Sequence, residues 1–208
     1  MLGFHREEGL YLEHIPGGSL HHYIEGHAME EVSLNLKFRW ATEAAEALQL
    51  LHFHRLIHCD MKPQNLLLGT DLHLKVIDFS GSTWEGNRSY ASEPTRYHLP
   101  RDYSQTPSRR DDIFALGSTF YEIFTGSPPY GDIASDEVAQ RYEAHMFPQD
   151  VNMLACGNII LGCWLSHFDS TQEEVYESLK LVEHSAVGAQ EVKGSVVAPD
   201  GSWKDAQR

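Results

Sequence analysis

The segment H-C-D-M-K-P-Q-N, residues 58–65, combines an Asp with a Lys two positions later and an Asn five positions later. Taken singly, Asp60 and Asn65 are residue types that commonly occur in turns, and a Lys-Pro-Gln-Asn run is typical of an ordinary loop. The informative feature is the joint spacing of Asp60, Lys62 and Asn65.

A second short motif, Asp78-Phe79-Ser80, follows the first within twenty residues. It closes the apolar run 73–79, which is separated from the apolar run 65–68 by the turn residues Gly69, Thr70 and Asp71. Two short apolar runs around such a turn predict a small β-hairpin. The two motifs therefore flank one hairpin, and residues 80–107, which have no sustained period, are predicted to form a long loop.

Together the two motifs resemble the catalytic loop H-R-D-x-x-x-x-N and the D-F-G segment of eukaryotic-type protein kinases. Cys59 stands in the place of the Arg, and Ser80 in the place of the Gly. The resemblance implies that Asp60 accepts the proton of the substrate hydroxyl and that Lys62 stabilises the transferring phosphoryl group. It further implies ATP and Mg²⁺ as cofactors, with Asn65 and Asp78 as metal ligands.

The resemblance extends over residues 2–183. Upstream, L-Y-L-E-H-I-P-G-G-S-L at 10–20 looks like the last strand of the small lobe and the hinge, with Leu12 as gatekeeper. In that comparison the backbones of Glu13 and Ile15 face adenine, and Leu67 lies beneath the base.

Downstream, S-E-P-T-R-Y-H-L-P-R at 92–101 looks like the end of the activation segment, with Thr95 near the catalytic loop. Asp112 is expected to anchor that loop. Arg101 stands where the family has a Glu that pairs with a later Arg, and because 151–183 contains no Arg, we expect this ion pair to be absent. Lys62 implies Ser and Thr, rather than Tyr, as the phosphate acceptors.

The remaining pattern is mostly helical. A short strand is predicted at 10–15, and Ser19 is a plausible N-cap for a helix to residue 24. Apolar residues at helical spacing predict further helices at 33–51, 111–125, 135–145, 153–165 and 171–183, of which 111–125 is apolar almost all round and so is expected to be buried.

We therefore predict an α+β, mainly α chain with a protein kinase-like fold, which consists of a large helical lobe, a hinge strand and small β-hairpins. The expected organisation is a remnant of the small lobe and hinge at 1–18, the large lobe at 19–183 and a flexible tail at 184–208.

The first lysine of the chain is Lys37, which lies beyond the hinge. Residues 1–9 therefore provide neither the small-lobe Lys that contacts the nucleotide phosphates nor a glycine-rich phosphate loop. Two alternatives to an active Ser/Thr kinase follow: a catalytically impaired, pseudokinase-like binding module, or a fragment of a longer kinase. Cys59 also predicts weak control by phosphorylation of the loop, because a thiol cannot grip phosphate as Arg does.

Composition limits the classes of partner and the cellular compartment expected for this chain. The formal net charge is -14, with 16 Lys and Arg against 30 Asp and Glu, which argues against nucleic-acid binding. Three cysteines without metal-type spacing favour a reducing compartment. The apolar run 153–165 is too short to cross a membrane. We expect an intracellular protein, cytoplasmic or nuclear, whose partner is a protein substrate or a binding protein rather than nucleic acid or membrane.

A zinc site is the alternative interpretation of His52, His54 and His58, because H-x-H is a spacing found among metal ligands. An H-x-H-x-D-H hydrolase site, however, requires Asp at position 56 and His at 57, where this chain has Leu and Ile. His58 is better explained as a packing residue of the loop, with Phe79 as its neighbour.

Overall fold

Helices and a few short strands make up the chain, and the computed structural model describes residues 3–7, 9–89, 93–102, 104–168 and 174–194, without the side chains of 4, 10 and 186–194. Within these residues the strands are β1 (Gly3–His5), β2 (Gly9–Tyr11), β3 (Leu56–Ile57), β4 (Leu66–Leu68), β5 (Leu74–Val76) and β6 (Thr83–Trp84). The helices are α1 (Leu20–Gly26), α2 (Leu34–Phe53), α3 (Arg109–Thr125), α4 (Ser135–Glu143), α5 (Gly157–Trp164) and α6 (Tyr176–Gly194). This confirms the mainly helical α+β class.

Helix α3 forms the centre of the core. A capping box between Ser108 and Asp111 begins it, and Gly126 ends it in a left-handed conformation with φ of 87°. Every residue from Asp111 to Phe124 is buried, as the apolar sequence predicts. At Gly117 a Cβ atom would lie 2.7 Å from the Cβ of Cys163, so the glycine allows α5 to pack closely against α3.

Helix α2 is the second main element of the core and confirms the helix predicted at 33–51. The Ser33 side chain accepts a hydrogen bond from the Leu36 backbone N–H and so caps its start. Its buried face, which includes Trp40, Ala44 and Leu48, packs within the same core as α3. Burial of this stripe at helical spacing is the main stabilising term for such a helix.

The predicted hairpin is present as β4 and β5. Its antiparallel register pairs Leu66 with Val76, Leu67 with Lys75 and Leu68 with Leu74. The Trp40 indole N–H donates to the Leu72 carbonyl at 2.9 Å, which ties the turn of the hairpin to α2. A second small sheet pairs β3 with β6, and a third pairs β1 with β2.

Three elements begin or end four or more residues from the predicted boundary. The strand expected at 10–15 ends at Tyr11, and residues 12–15 pair with no described strand. The helix expected from 153 begins at Gly157 instead. A Cβ there would lie 2.0 Å from the Val151 carbonyl oxygen, so the preceding chain is folded back in a tight 3-10 turn, Gln149–Met153.

The third difference concerns the end of the chain. The sequence predicts a helix at 171–183 followed by a flexible tail from 184, but α6 continues to Gly194. The residues after Glu183 include Ala, Val, Gln and Glu, and most of these types sustain a helix. Residues 171–173 and 195–208 lie outside the described part of the chain. In that described part, no helix is both long enough and apolar enough to span a membrane.

Candidate active site

The loop between β3 and β4 brings Asp60, Lys62 and Asn65 into direct contact. The Lys62 ammonium donates to both carboxylate oxygens of Asp60, each at 2.7 Å. The Asn65 amide nitrogen donates to Asp60 Oδ2 and to the Asp60 backbone carbonyl, both at 2.8 Å. The Asp60 and Lys62 side chains are each 19% exposed, so solvent reaches this charged pair.

The buried carboxylate of Asp112 binds the backbone of this loop, as the sequence predicts. Its Oδ2 accepts the His58 backbone N–H at 2.8 Å and its Oδ1 accepts the Cys59 N–H at 2.9 Å. The His52 ring donates to Oδ2 at 2.8 Å. Cys59 has φ of 65°, which is unusual for a residue other than glycine, and the two bonds from Asp112 fix the backbone there.

The Cys59 side chain faces the interior. Burial, and next the charge of the nearby Asp112 carboxylate, raise the pKa of its thiol to about 12. The thiol is therefore a neutral packing group. It has no charge with which to bind a phosphate, in keeping with the prediction made from the sequence.

His58 links the two motifs. Its Nε2–H donates to the Ile77 carbonyl at 3.1 Å, and its Nδ1 accepts the Asp60 backbone N–H at 3.2 Å. The ring lies 5.3 Å from the Phe79 ring, centroid to centroid. His58 is thus the packing residue that the sequence predicts, and it sets the Asp60 backbone relative to the Asp78 segment.

The described residues contain no group of three or more His, Cys, Asp and Glu side chains arranged to hold a metal ion. His52 instead contacts Asp112, and His58 contacts the backbone of Ile77. These contacts give no support to the zinc alternative.

Asp78 and Asn65 lie at the open end of the β4–β5 hairpin. The Ile77 backbone N–H donates to the Asn65 carbonyl at 3.0 Å, one position beyond the Leu66–Val76 pair. Asn65 uses its amide nitrogen for Asp60, so its amide oxygen is the atom available to a cation. Asp78 is exposed, with φ of 62° and ψ of 67°. Amide and carboxylate oxygens are the donor types that Mg²⁺ prefers, and these two residues therefore fit the expected metal.

Ser80 contacts the Asp78 carboxylate. Its hydroxyl donates to Asp78 Oδ1 at 2.7 Å, and its backbone N–H approaches the same oxygen at 3.4 Å. The hydroxyl bond is the largest cause of the lowered pKa of Asp78. The carboxylate is therefore held in its ionised form, which is the form that binds cations.

Two of the predicted nucleotide-side residues are connected to the β4–β5 hairpin: Leu67 belongs to it and Glu13 contacts it. Leu67 is half-buried and forms an isolated bridge with Ser19, and Glu13 binds the Lys75 ammonium at 2.6 Å. Because Lys75 is the cross-strand partner of Leu67, the Glu13 segment and Leu67 are neighbours. Ile15 is half-buried, whereas Leu12 is exposed.

Gly17 explains how this segment approaches β4. Its N–H donates to the Leu68 carbonyl at 2.9 Å, and a Cβ at this position would lie 2.4 Å from that oxygen. Only glycine allows so close an approach. The segment before α1 is thereby fixed to the hairpin that carries Asn65 and Asp78.

The segment that follows β6 returns to the site at Thr95, which lines a groove together with Lys62 and Gln64. Tyr97 donates its hydroxyl to the buried carboxylate of Glu122, which also accepts a hydrogen bond from His21 Nδ1 at 2.9 Å. These contacts join three separate elements below the groove. Nothing in the sequence spacing indicates them.

Arg101 makes an ion pair that the sequence does not predict, because its guanidinium binds the buried Asp111 carboxylate. The pair expected to be absent is the one with residues 151–183, whereas this partner lies at the start of α3. The one available signal is the doubled acid Asp111-Asp112 at the start of an otherwise apolar helix.

Comparisons with known proteins agree with this geometry. A family model described as the protein kinase domain matches residues 4–179. The chain is 31% identical over 153 residues to a protein of Encephalitozoon cuniculi named "Probable cAMP-dependent protein kinase catalytic subunit", an alignment that covers 71% of this chain and 46% of that protein.

Two further relatives belong to different kinase groups. One is a cAMP-dependent protein kinase, catalytic subunit-like, of Caenorhabditis elegans, with 29% identity over 70% of this chain and 37% of the relative. The other is the megakaryocyte-associated tyrosine-protein kinase of Mus musculus, with 27% identity over 94% of this chain and 41% of the relative. The chain thus spans less than half the length of these curated relatives.

Proposed function

Because this chain belongs to the protein kinase family, we propose that it transfers the terminal phosphoryl group of ATP to Ser or Thr side chains of a protein substrate. The observation that carries the proposal is the contact of Asp60 with both Lys62 and Asn65. A carboxylate, an ammonium and an amide held within hydrogen-bond distance are the groups that phosphoryl transfer to a hydroxyl requires.

Asp60 is the proposed base. Its carboxylate is partly exposed and is oriented by Lys62 and Asn65, so it can accept the proton of an incoming hydroxyl. Its backbone N–H is held by His58, and the backbone of the loop is held by Asp112. Preorganisation of this kind lowers the barrier because the groups need not reorganise during the reaction.

Lys62 is the proposed cation that stabilises charge on the transferring group. In the structure its ammonium rests on Asp60, and it lines the same groove as Thr95. Mg²⁺, when bound, supplies neutralisation of the negative charge on the nucleotide phosphates. Asn65 and Asp78 would hold it through their side-chain oxygens.

The preference for Ser and Thr rests on Lys62, since tyrosine kinases usually have Ala or Arg in its place. The relatives include cAMP-dependent and tyrosine kinases. Degenerate peptide libraries that contain only Ser, only Thr or only Tyr as acceptor test this preference. Phosphate incorporation into Tyr peptides alone contradicts it.

The proposal is tested by the substitution Asp60→Asn, which preserves shape and removes the base. We expect the rate of phosphate transfer to a peptide that the wild type phosphorylates to fall by at least about a hundredfold. Asp132→Asn, at an exposed position, is the matched control and should retain the wild-type rate. Equal rates for Asp60→Asn and wild type contradict the assignment.

Nucleotide binding is tested separately from chemistry. Saturating ATP with Mg²⁺ should raise the midpoint of thermal unfolding, because a ligand that binds only the folded state stabilises it. A chain whose midpoint does not change with ATP and Mg²⁺ behaves as a binding module rather than an enzyme.

A further inference from the structure

The hydroxyl of Ser80 makes the shortest contact to the Asp78 carboxylate, at 2.7 Å to Oδ1. We propose that Ser80 is a positioning residue that orients Asp78 for binding a divalent cation. This inference rests on the proposed function, because it concerns the metal site of the same reaction. It adds a residue type that the D-F-G motif does not have at this position.

The local backbone explains why a positioning contact matters here. Asp78 adopts a left-handed conformation and precedes the 3-10 turn Phe79–Gly81. The Ser80 backbone N–H is 3.4 Å from Oδ1, near the limit for a hydrogen bond, whereas the hydroxyl is at an optimal distance. The hydroxyl is therefore the stronger of the two contacts that Ser80 makes to the carboxylate.

Exposure makes the contact consequential. Asp78 and Ser80 are both exposed, and a carboxylate in this setting otherwise rotates freely about its terminal bond. With Oδ1 engaged by Ser80, Oδ2 is the carboxylate oxygen that remains for a cation. Carboxylates that bind metals are commonly held by hydrogen bonds of this kind, which reduce the entropy lost on binding.

The hydroxyl bond has a second possible effect, which is to stabilise the 3-10 turn. The two effects differ in what they change. If the role is purely structural, loss of the hydroxyl in Ser80→Ala lowers the unfolding midpoint of the metal-free chain. If the role is positioning, the same loss weakens metal binding and leaves that midpoint unchanged. Ser80→Thr keeps the hydroxyl and serves as the rescue variant.

Mn²⁺ alone is the probe, titrated into the full 208-residue chain without nucleotide and followed by water-proton relaxation. Because the chain is strongly acidic, Asp78→Asn is titrated in parallel, and the difference from wild type isolates the site that depends on Asp78. We expect Ser80→Ala to weaken this binding roughly tenfold. Ser80→Thr should stay within about twofold of wild type, and Ser104→Ala, at an exposed serine elsewhere, should not differ from it.

The possible results separate the two claims. Binding by Ser80→Ala that equals or exceeds that of the wild type, with Asp78→Asn still impaired, overturns the role of Ser80 and leaves the metal assignment intact. Equal binding by Asp78→Asn and wild type overturns the metal assignment, and the inference with it. A loss for Ser80→Ala accompanied by a lower unfolding midpoint without metal assigns Ser80 a structural role and also overturns the inference.

Discussion

Asp112 accepts the backbone N–H of Cys59 through Oδ1 at 2.9 Å, and Cys59 is held at a φ of 65°. A positive φ at a non-glycine residue persists only where the surroundings enforce it. The same carboxylate holds His58 and receives the His52 ring. The backbone of the loop at His58 and Cys59 is therefore held by one buried side chain from α3.

Asp112→Asn should lower the free energy of unfolding by roughly 2–4 kcal/mol, because the substitution removes a buried charge and turns one acceptor into a donor that faces N–H groups. Urea denaturation measures the change. Asp132→Asn at an exposed position is the control and should differ from wild type by less than about 0.5 kcal/mol. Similar values for the two variants would show that Asp112 does not support the loop.

Arg101→Gln removes the charged partner of Asp111, which is 1% exposed. Segment 93–102, which contains Arg101, should therefore be cleaved faster by proteases. We expect a destabilisation of about 3 kcal/mol. The double variant with Asp111→Asn should recover part of this loss, since it leaves no unpaired buried charge. Arg88→Gln at an exposed position is the control, and strictly additive effects of the Arg101 and Asp111 changes contradict the pairing.

Tyr97→Phe should destabilise the chain by roughly 1–3 kcal/mol, because the buried Glu122 carboxylate loses a hydrogen-bond donor. Burial raises the pKa of Tyr97 well above its usual range, with the Glu122 charge as the next cause, so the hydroxyl remains a donor at neutral pH. Tyr176→Phe is the matched control. If the two variants unfold at the same urea concentration, the Tyr97–Glu122 contact contributes no stability.

Stability should fall at alkaline pH. Burial raises the pKa of Cys59 from 9.0 to about 12, and raises those of Cys156 and Cys163 as well. Because the unfolded thiols ionise near pH 9 while the folded ones stay protonated, the stabilisation is complete below pH 9 and is lost as pH rises toward 12.

Urea denaturation between about pH 8 and about pH 10, in a reducing buffer, measures this loss, which is at most about 1.4 kcal/mol per pH unit for each thiol. Cys59→Ala should reduce the slope because it removes one of the three groups. An identical slope for this variant and wild type argues that Cys59 keeps an ordinary pKa when folded.

The elements that could be predicted from sequence are those whose signal is local. Helices α2 and α3 are predicted by apolar stripes within their own sequences, and the β4–β5 hairpin is predicted by its turn residues. The relation of Asp60, Lys62 and Asn65 is equally local, since all three lie in one loop. Their contacts follow once that loop folds.

The features that sequence did not reveal depend on distant segments. The Arg101–Asp111 pair and the contacts of Glu122 with Tyr97 and His21 form only because separate elements meet at α3. Likewise, β2 ends at Tyr11, although the sequence predicts a strand up to residue 15. Tertiary context overrides a local pattern at each of these places.

The β4–β5 hairpin has a consequence for how this chain can vary over evolutionary time. Asn65 immediately precedes β4 and Asp78 follows β5 by two residues, so the pairing of Leu66 with Val76 brings both to the same end of the hairpin. Since a shift of one residue in the pairing turns every side chain to the opposite face, one deletion in the turn would separate the two oxygen donors. The length of that turn is thus under stronger constraint than its composition, although none of its residues takes part in the chemistry.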